Sequence, residues 1–440
     1  AGWRFESSPA HHVFATVSSS PRYPACPFIA RGDAMKDRSA SSLLRRSRHF
    51  GWLAVLALLF PAGPPASAAP RLKKPAFLNV TNPTPIPREE IIAISLADIF
   101  EQLPSSDPAN IRVETMPLHG PIETQIFSSV ANGPPDTLLA LVTLEASQTI
   151  QLRFFLSSSA NEQKPLVFGR AVPERKDDFA WENDKVAYRV YGPALQATGE
   201  ITSGIDVWSK RVSGFVINDW YAKDAEGQRT KNPALTYHKD SGEGLDSYEV
   251  GPTRGCGGTA IFSDGKFFAS KNYTQVEILA AGPIRFQFRL HYAPWQAGSV
   301  HVGEVKTITL DAGTHMNRIQ SVFSFDGAHS VQAALGLAIH PEAQISSSVE
   351  NGLLAIWEPL TDPAAGMVGT GIVLPPGAAA AVKQGDGSVH LVVEAKPNVP
   401  ILYYAGAAWS KSDIGSAAAW RKYLQDFSFK MQHPVQAFWY

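Results

Sequence analysis

What most limits the fold of this chain is a two-residue hydrophobic period repeated in many short segments. Residues 90–96, 111–115 and 122–127 set apolar side chains at alternate positions, as half-buried strands do. Residues 138–144 and 149–155 form two apolar strands joined through 145–148. The same reading applies to 186–191, 275–280, 284–292, 302–310, 319–325 and 389–394. Turns such as Ala281-Gly282-Pro283 and Asp311-Ala312-Gly313 separate them. A period of two cannot bury one face of a helix, so the expectation is an all-β protein. Residues 69–160 read as a small N-terminal β-domain, closed by the polar linker 157–164. Residues 161–440 read as a large antiparallel sandwich carrying the site. No amphipathic helix of three turns is expected before residue 160. The sole helix candidate is 416–427, where Ala419, Trp420, Tyr423, Leu424 and Phe427 fall at helical spacing.

The beginning of the chain reads differently. The first Met is Met35, followed by Lys36, Arg38, Arg45, Arg46 and Arg48. Residues 51–60 are apolar but too few to span a bilayer as a helix, and Ala66-Ser67-Ala68 fits a cleavage site. Residues 35–68 are therefore expected to be a signal peptide, with a mature start near Ala69, and 1–34 a disordered upstream segment. An uncleaved anchor is the alternative. The expected location is the bacterial periplasm or outside, with no stable membrane insertion after cleavage. Cleavage removes Cys26 and leaves Cys256 alone, so no intrachain disulfide is expected. Beside glycines, Cys256 reads as a small buried hydrophobe before it reads as a nucleophile. A formal net charge of -1 gives no footprint for nucleic acid or anionic lipid.

Chemistry-bearing residues concentrate between 180 and 258. Trp181, Trp208, Trp220 and Trp295 read singly as core residues. Taken together they are expected to include a sugar-stacking platform, because sugar rings offer an apolar face to aromatics. Tyr237-His238-Lys239-Asp240, then Glu243, Asp246 and Tyr248, supply proton-transfer groups. For β-elimination of a uronic-acid polymer, His238 with Tyr237 or Tyr248 would handle protons. Arg254 or Arg211 would hold the carboxylate, with Trp181 or Trp208 beneath the sugar. Hydrolysis would instead need two carboxylates roughly 5–9 Å apart, drawn from Asp206, Asp240, Glu243 and Asp246. His238, Asp240, Glu243 and Asp246 could also hold Ca²⁺, though their spacing fits no known loop; no other cofactor is expected. The plain alternative is a polar surface loop between strands. Gly251-Pro252-Thr253-Arg254-Gly255-Cys256-Gly257-Gly258 lacks phosphate-loop spacing, so its glycines read as bends or close approaches. His291, His301, His315 and His340 each read as structural.

The run D-D-F-A-W-E-N-D-K-V-A-Y-R-V-Y-G-P-A-L (177–195) resembles a bacterial exported family, domain-of-unknown-function family 4861. So do S-G-I-D-V-W-S-K-R (203–211), the run 237–258, A-G-A-A-W-S-K-S (405–412), P-I-E-T-Q (121–125) and P-D-T-L-L-A (135–140). The likeness covers the whole expected mature chain. It implies a galactose-mutarotase-like supersandwich and an association with the degradation of pectin and other uronate-rich polysaccharides. Family members commonly carry a His where this chain has Ser241. The reading that results is a carbohydrate-active protein, lyase or hydrolase, acting on uronic-acid-containing glycan. The rivals are a non-catalytic glycan-binding protein and a mutarotase-type sugar epimerase.

Overall fold

The computed structural model describes residues 75–440 apart from 104–106, 160 and 379. The expected signal peptide and upstream segment lie outside the described residues. Antiparallel sheets dominate, as the two-residue period requires.

The N-terminal module is two small sheets around one apolar core. In the three-stranded sheet, Thr137–Leu144 lies between Arg88–Ser95 and Thr124–Phe127. The five-stranded sheet contains Ala76–Thr81, Thr149–Leu156, Ile111–Met116 and Gly120–Pro121. Its remaining edge is the last strand of the chain, Gln436–Trp439, which pairs Leu78 with Trp439. The C-terminus thus returns to complete the first sheet. A short helix, Leu96–Gln102, follows directly on Ser95, whose hydroxyl caps it. Gln125, within the P-I-E-T-Q run, fastens this module to the next. Its Oε1 accepts from the Arg285 amide at 2.8 Å, and its Nε2 donates to the Arg285 carbonyl at 3.2 Å.

The larger part is a supersandwich. An eight-stranded sheet includes Tyr273–Ala281, Arg285–Ala297, Val300–Asp311, Met316–Phe325 and Pro400–Trp409. A five-stranded sheet centred on Cys256–Ser263 and Val331–Ala338 shares its core. Another five-stranded sheet runs Gly244–Asp246, Asp206–Lys210, Ala187–Val190, Asp178–Asn183, Val167–Val172. The expected C-terminal helix is present as Ala417–Gln432, with Trp420 and Leu424 buried. A second helix, Ile217–Thr230, was not legible in the sequence. It buries Ile217, Trp220, Tyr221, Asp224 and Gly227, a stripe whose last two members are not apolar. Among the described residues, no helix is long and apolar enough to cross a membrane.

Candidate active site

Strand register sorts the residues of the last-named sheet onto two faces. Arg189 stands opposite Asp206 and Ala180, Ala187 opposite Trp208 and Glu182, and Trp208 opposite Asp246. Cross-strand partners share a face. One face therefore carries Asp178, Ala180, Glu182, Ala187, Arg189, Asp206, Trp208, Lys210 and Asp246. Phe179, Trp181, Tyr188, Val207 and Leu245, on the other face, join the main core. The polar face is roofed by Ile217–Thr230 and by Tyr237, which pack on Ala180, Ala187 and Trp208.

At the centre of the polar face lies Arg189. Its Nε donates to Asp206 Oδ2 at 2.9 Å and its Nη2 to Asp246 Oδ2 at 2.9 Å. Nη1 donates to the Tyr237 hydroxyl at 3.3 Å and stands 3.7 Å from Asp178 Oδ2. The guanidinium also lies over the rings of Tyr191 and Trp208. Three carboxylates thus gather on Arg189, with Arg175 adding its charge toward Asp178 and Asp246, and Arg189, Asp178, Asp206 and Asp246 are all buried. Burial pushes Asp178 up to about 6, against the opposing pull of Arg189. Burial likewise raises Asp206 and Asp246, and the charge of Asp246 adds to the rise of Asp206.

His238 stands on the rim, with its side chain 51% exposed. Its Nδ1 lies 2.9 Å from the Asp246 carbonyl and 3.6 Å from that residue's Oδ2. A carbonyl oxygen can only accept, so Nδ1 carries the proton. In the neutral ring, Nε2 then holds the free lone pair, and it has no protein partner among the described residues. Tyr237 packs beside it, ring centres 4.5 Å apart. The turn carrying His238 is tied down at Asp240, which ion-pairs with Arg211. The Arg211 guanidinium lies 4.5 Å above the centre of the Trp409 ring.

Several expectations need correction. Trp181 and Trp208 are fully buried and present no ring to a sugar. Trp181 stacks on Tyr188 and donates to Asn317 Oδ1, while Trp208 is sandwiched between Trp220 and Tyr237. Trp220 is buried as well, and Trp295 is half-buried with its indole N–H on the Phe268 carbonyl. Asp206 is sealed off and Glu243 is engaged by Trp220 and Lys223, so the pair does not face one open space. Tyr237 is not poised as an acid, since burial raises its hydroxyl despite the nearby Arg189. Tyr248 lies buried elsewhere, edge-on to His340. The four expected Ca²⁺ ligands do not converge: Asp240 goes to Arg211, Glu243 to Lys223 and Asp246 to Arg189. Among the described residues, no three His, Cys, Asp or Glu groups gather as metal ligands. Arg254 belongs to a different place, bonded to Ser203, Thr259 and Pro252.

Other readings hold. His315 is buried between the Ala407 carbonyl and Asp413, and His340 bridges Glu358 and the Glu249 carbonyl. Gly255 has φ +56, and a Cβ there would lie 2.1 Å from the Ile205 carbonyl oxygen, so the close-approach reading stands. Arg189, Asp178, Tyr191 and Tyr221 were missed as a group. The available signal was a charged residue inside the otherwise apolar strand A-Y-R-V.

The family model described as "Domain of unknown function (DUF4861)" matches residues 80–437. Uncharacterized protein P7 of Formosa agariphila is 34% identical over 395 residues, covering 84% of this chain and 95% of that protein. Among solved structures, a protein in the glycosyl hydrolase family 38 from Enterococcus faecalis aligns over 83% of this chain, with 8% identity and a TM-score of 0.47. An α-mannosidase from the same organism aligns over 83% of this chain, with 9% identity and a TM-score of 0.44. The chain spans about half the length of those two structures, 47% and 46%.

Proposed function

Because the chain belongs to the family described as Domain of unknown function (DUF4861), we propose that it is an exported carbohydrate-active protein acting on uronic-acid-containing glycan. The signal peptide read at 35–68 would deliver it to the periplasm or beyond. The observation that carries the reading is His238, an exposed imidazole whose Nδ1–H is fixed on the Asp246 carbonyl and whose Nε2 is open.

An open, oriented imidazole suits elimination. Nε2 takes the proton α to the substrate carboxylate. The electron pair becomes the ring double bond, and the bond to the leaving oxygen breaks. At this exposed rim the leaving oxygen takes its proton from water. Arg211, half-exposed beside the same turn, would face the substrate carboxylate and balance the charge that develops. Elimination is preferred to hydrolysis because the expected carboxylate pair, Asp206 and Glu243, does not share an open space.

The test takes residues 69–440 with pectic, alginate-like and glucuronate-bearing glycans, each with and without Ca²⁺. Ultraviolet absorbance and reducing ends are followed together. Both should rise, and His238→Ala should lower the rate at least about a hundredfold while changing stability by less than about 0.5 kcal/mol. Reducing ends without absorbance would sink elimination in favour of hydrolysis. Saturable binding with neither signal, retained in His238→Ala, would make the protein a glycan-binding module.

A further inference from the structure

Away from His238, a cleft of about 450 Å³ is lined by Ile201, Ser203, Pro252, Arg254, Ser270 and Asp386. We infer that this cleft is a second carbohydrate site, in which Arg254 takes the carboxylate of a sugar acid and Asp386 takes its hydroxyls. The inference rests on the carbohydrate reading above, but on separate residues.

Arg254 is 6% exposed, and each of its bonded partners is neutral. Nη1 donates to Ser203 Oγ at 2.9 Å and to the Thr259 carbonyl at 3.3 Å, and Nη2 donates to the Pro252 carbonyl at 2.5 Å. Its Nε–H has no acceptor among the described residues. Elsewhere in this chain, Arg285 uses Nε and Nη2 together to hold the Asp311 carboxylate, at 2.6 and 2.7 Å. Arg254 keeps the Nε half of that edge unused, and Nη2 has a second proton beyond the one given to Pro252. A buried cation without a bonded anion is costly, and a ligand carboxylate removes that cost. The acids near it, Asp386 and Glu304, favour its charge through space but form no bond to it, and Glu304 is already 3.4 Å from Lys306.

The surroundings are shaped to hold this side chain. A Cβ at Gly336 would lie 2.5 Å from Arg254 Cγ, so the bare glycine gives the arginine its bed. The Arg254 amide donates to Ser388 Oγ at 3.1 Å. Just before Ser388, Asp386 and Gly387 make a two-residue hairpin turn with φ of 51 and 68°, closing the Gly385–Ser388 pair. That turn sets the exposed Asp386 carboxylate on the cleft wall, beyond ion-pair distance of Arg254. Ser270 is buried, and its hydroxyl has no partner among the described residues. One unsatisfied guanidinium edge, one acceptor carboxylate and a spare hydroxyl match a molecule bearing one carboxylate among several hydroxyls. The Asp386 charge opposes a phosphate dianion.

Calorimetric titration of the full chain tests this with D-galacturonate as the probe, beside D-galactose and inorganic phosphate. Galacturonate should bind saturably, and galactose at least tenfold more weakly. Arg254→Lys, which keeps the charge but loses the fork, should weaken galacturonate at least tenfold. Asp386→Asn, at an exposed turn whose left-handed φ asparagine also adopts, should weaken galacturonate severalfold and strengthen phosphate. An oligogalacturonate arm tells a chain residue from the free acid, by tighter or by equal binding. The proposal falls if galacturonate does not bind, if galactose binds as well, or if Asp386→Asn changes neither ligand. It falls too if His238→Ala abolishes the binding that Arg254→Lys leaves intact. Galacturonate binding without turnover of any glycan sinks the catalytic reading and upholds this one.

Discussion

Arg189 meets Asp206 across paired strands, and both Nε and Nη2 of the guanidinium reach the same oxygen, Oδ2, at 2.9 and 2.5 Å. That contact is the hub of the polar face. Through it the strand pair, the Tyr237 hydroxyl and the strand behind His238 are held in one network.

Replacing this hub should be severe. Arg189→Met leaves Asp178, Asp206 and Asp246 buried without their bonded cation, with only the charge of Arg175 near Asp178 and Asp246, at a cost of about 3–5 kcal/mol. The three acids already have raised proton affinities, so their contribution to stability is full below the ordinary value of 3.8. It is lost as pH rises through the folded values, about 6 for Asp178. Removing Arg189 raises those values further. Urea unfolding should therefore show a deficit that widens between about pH 5 and about pH 8. A deficit independent of pH would mean that the carboxylates do not depend on Arg189.

Glu182 and Lys210 form a second buried pair on the same face, at 2.8 Å, and both side chains are fully inaccessible. The Glu182 carboxylate also accepts the amides of Val216 and Ile217, supplying the cap that the helix Ile217–Thr230 lacks at its own N-cap. Glu182→Ala should cost about 3–5 kcal/mol and release this helix, read as lost helical circular dichroism. Unchanged helicity would show that the roof is held by Trp220 and Tyr221 instead.

His340 and Glu358 give a pH signature of their own. Burial works against charge on His340, yet the hydrogen bond and charge of Glu358 raise its pKa above 6.5. The pair therefore adds stability that is full below 6.5 and lost as pH rises through the raised value. Against Glu358→Gln, wild type should gain more at about pH 5.5 than at about pH 9, measured by chemical unfolding. An equal gain at both would mean that the imidazole is neutral in the fold.

Cys256 should be inert. It is buried with Sγ 3.2 Å from the Gly406 carbonyl, and burial pushes its thiol far above the usual range. A thiol reagent should label it in denaturant and not in the native protein. Rapid native labelling would reopen its reading as a nucleophile.

The alternating and apolar runs were enough for the all-β class and for eleven of the strands, and helical spacing was enough for the C-terminal helix, because periodicity follows directly from which side of an element is buried. Family membership was also legible, in runs such as 177–195 and 237–258. Tyr237, His238 and Asp246 were placed in one stretch by the sequence, and the fold keeps them together. The register of the strand Asp206–Lys210, which was not read from the sequence, sets Trp208 and Asp206 on one side, and only the fold shows what covers that side. The cover is Ile217–Thr230, whose buried stripe includes Asp224 and Gly227 and so gives a weak apolar signal. Once that roof is in place, Trp208 becomes a stacked core residue, Asp206 loses its solvent, and Arg189 becomes the partner of three acids. The tertiary structure also decided that Arg254 and His238 belong to separate surfaces, although only fifteen intervening residues divide them in the chain. Sequence sets the period of each strand, but burial depends on which neighbour arrives on each face, and those neighbours come from distant parts of the chain.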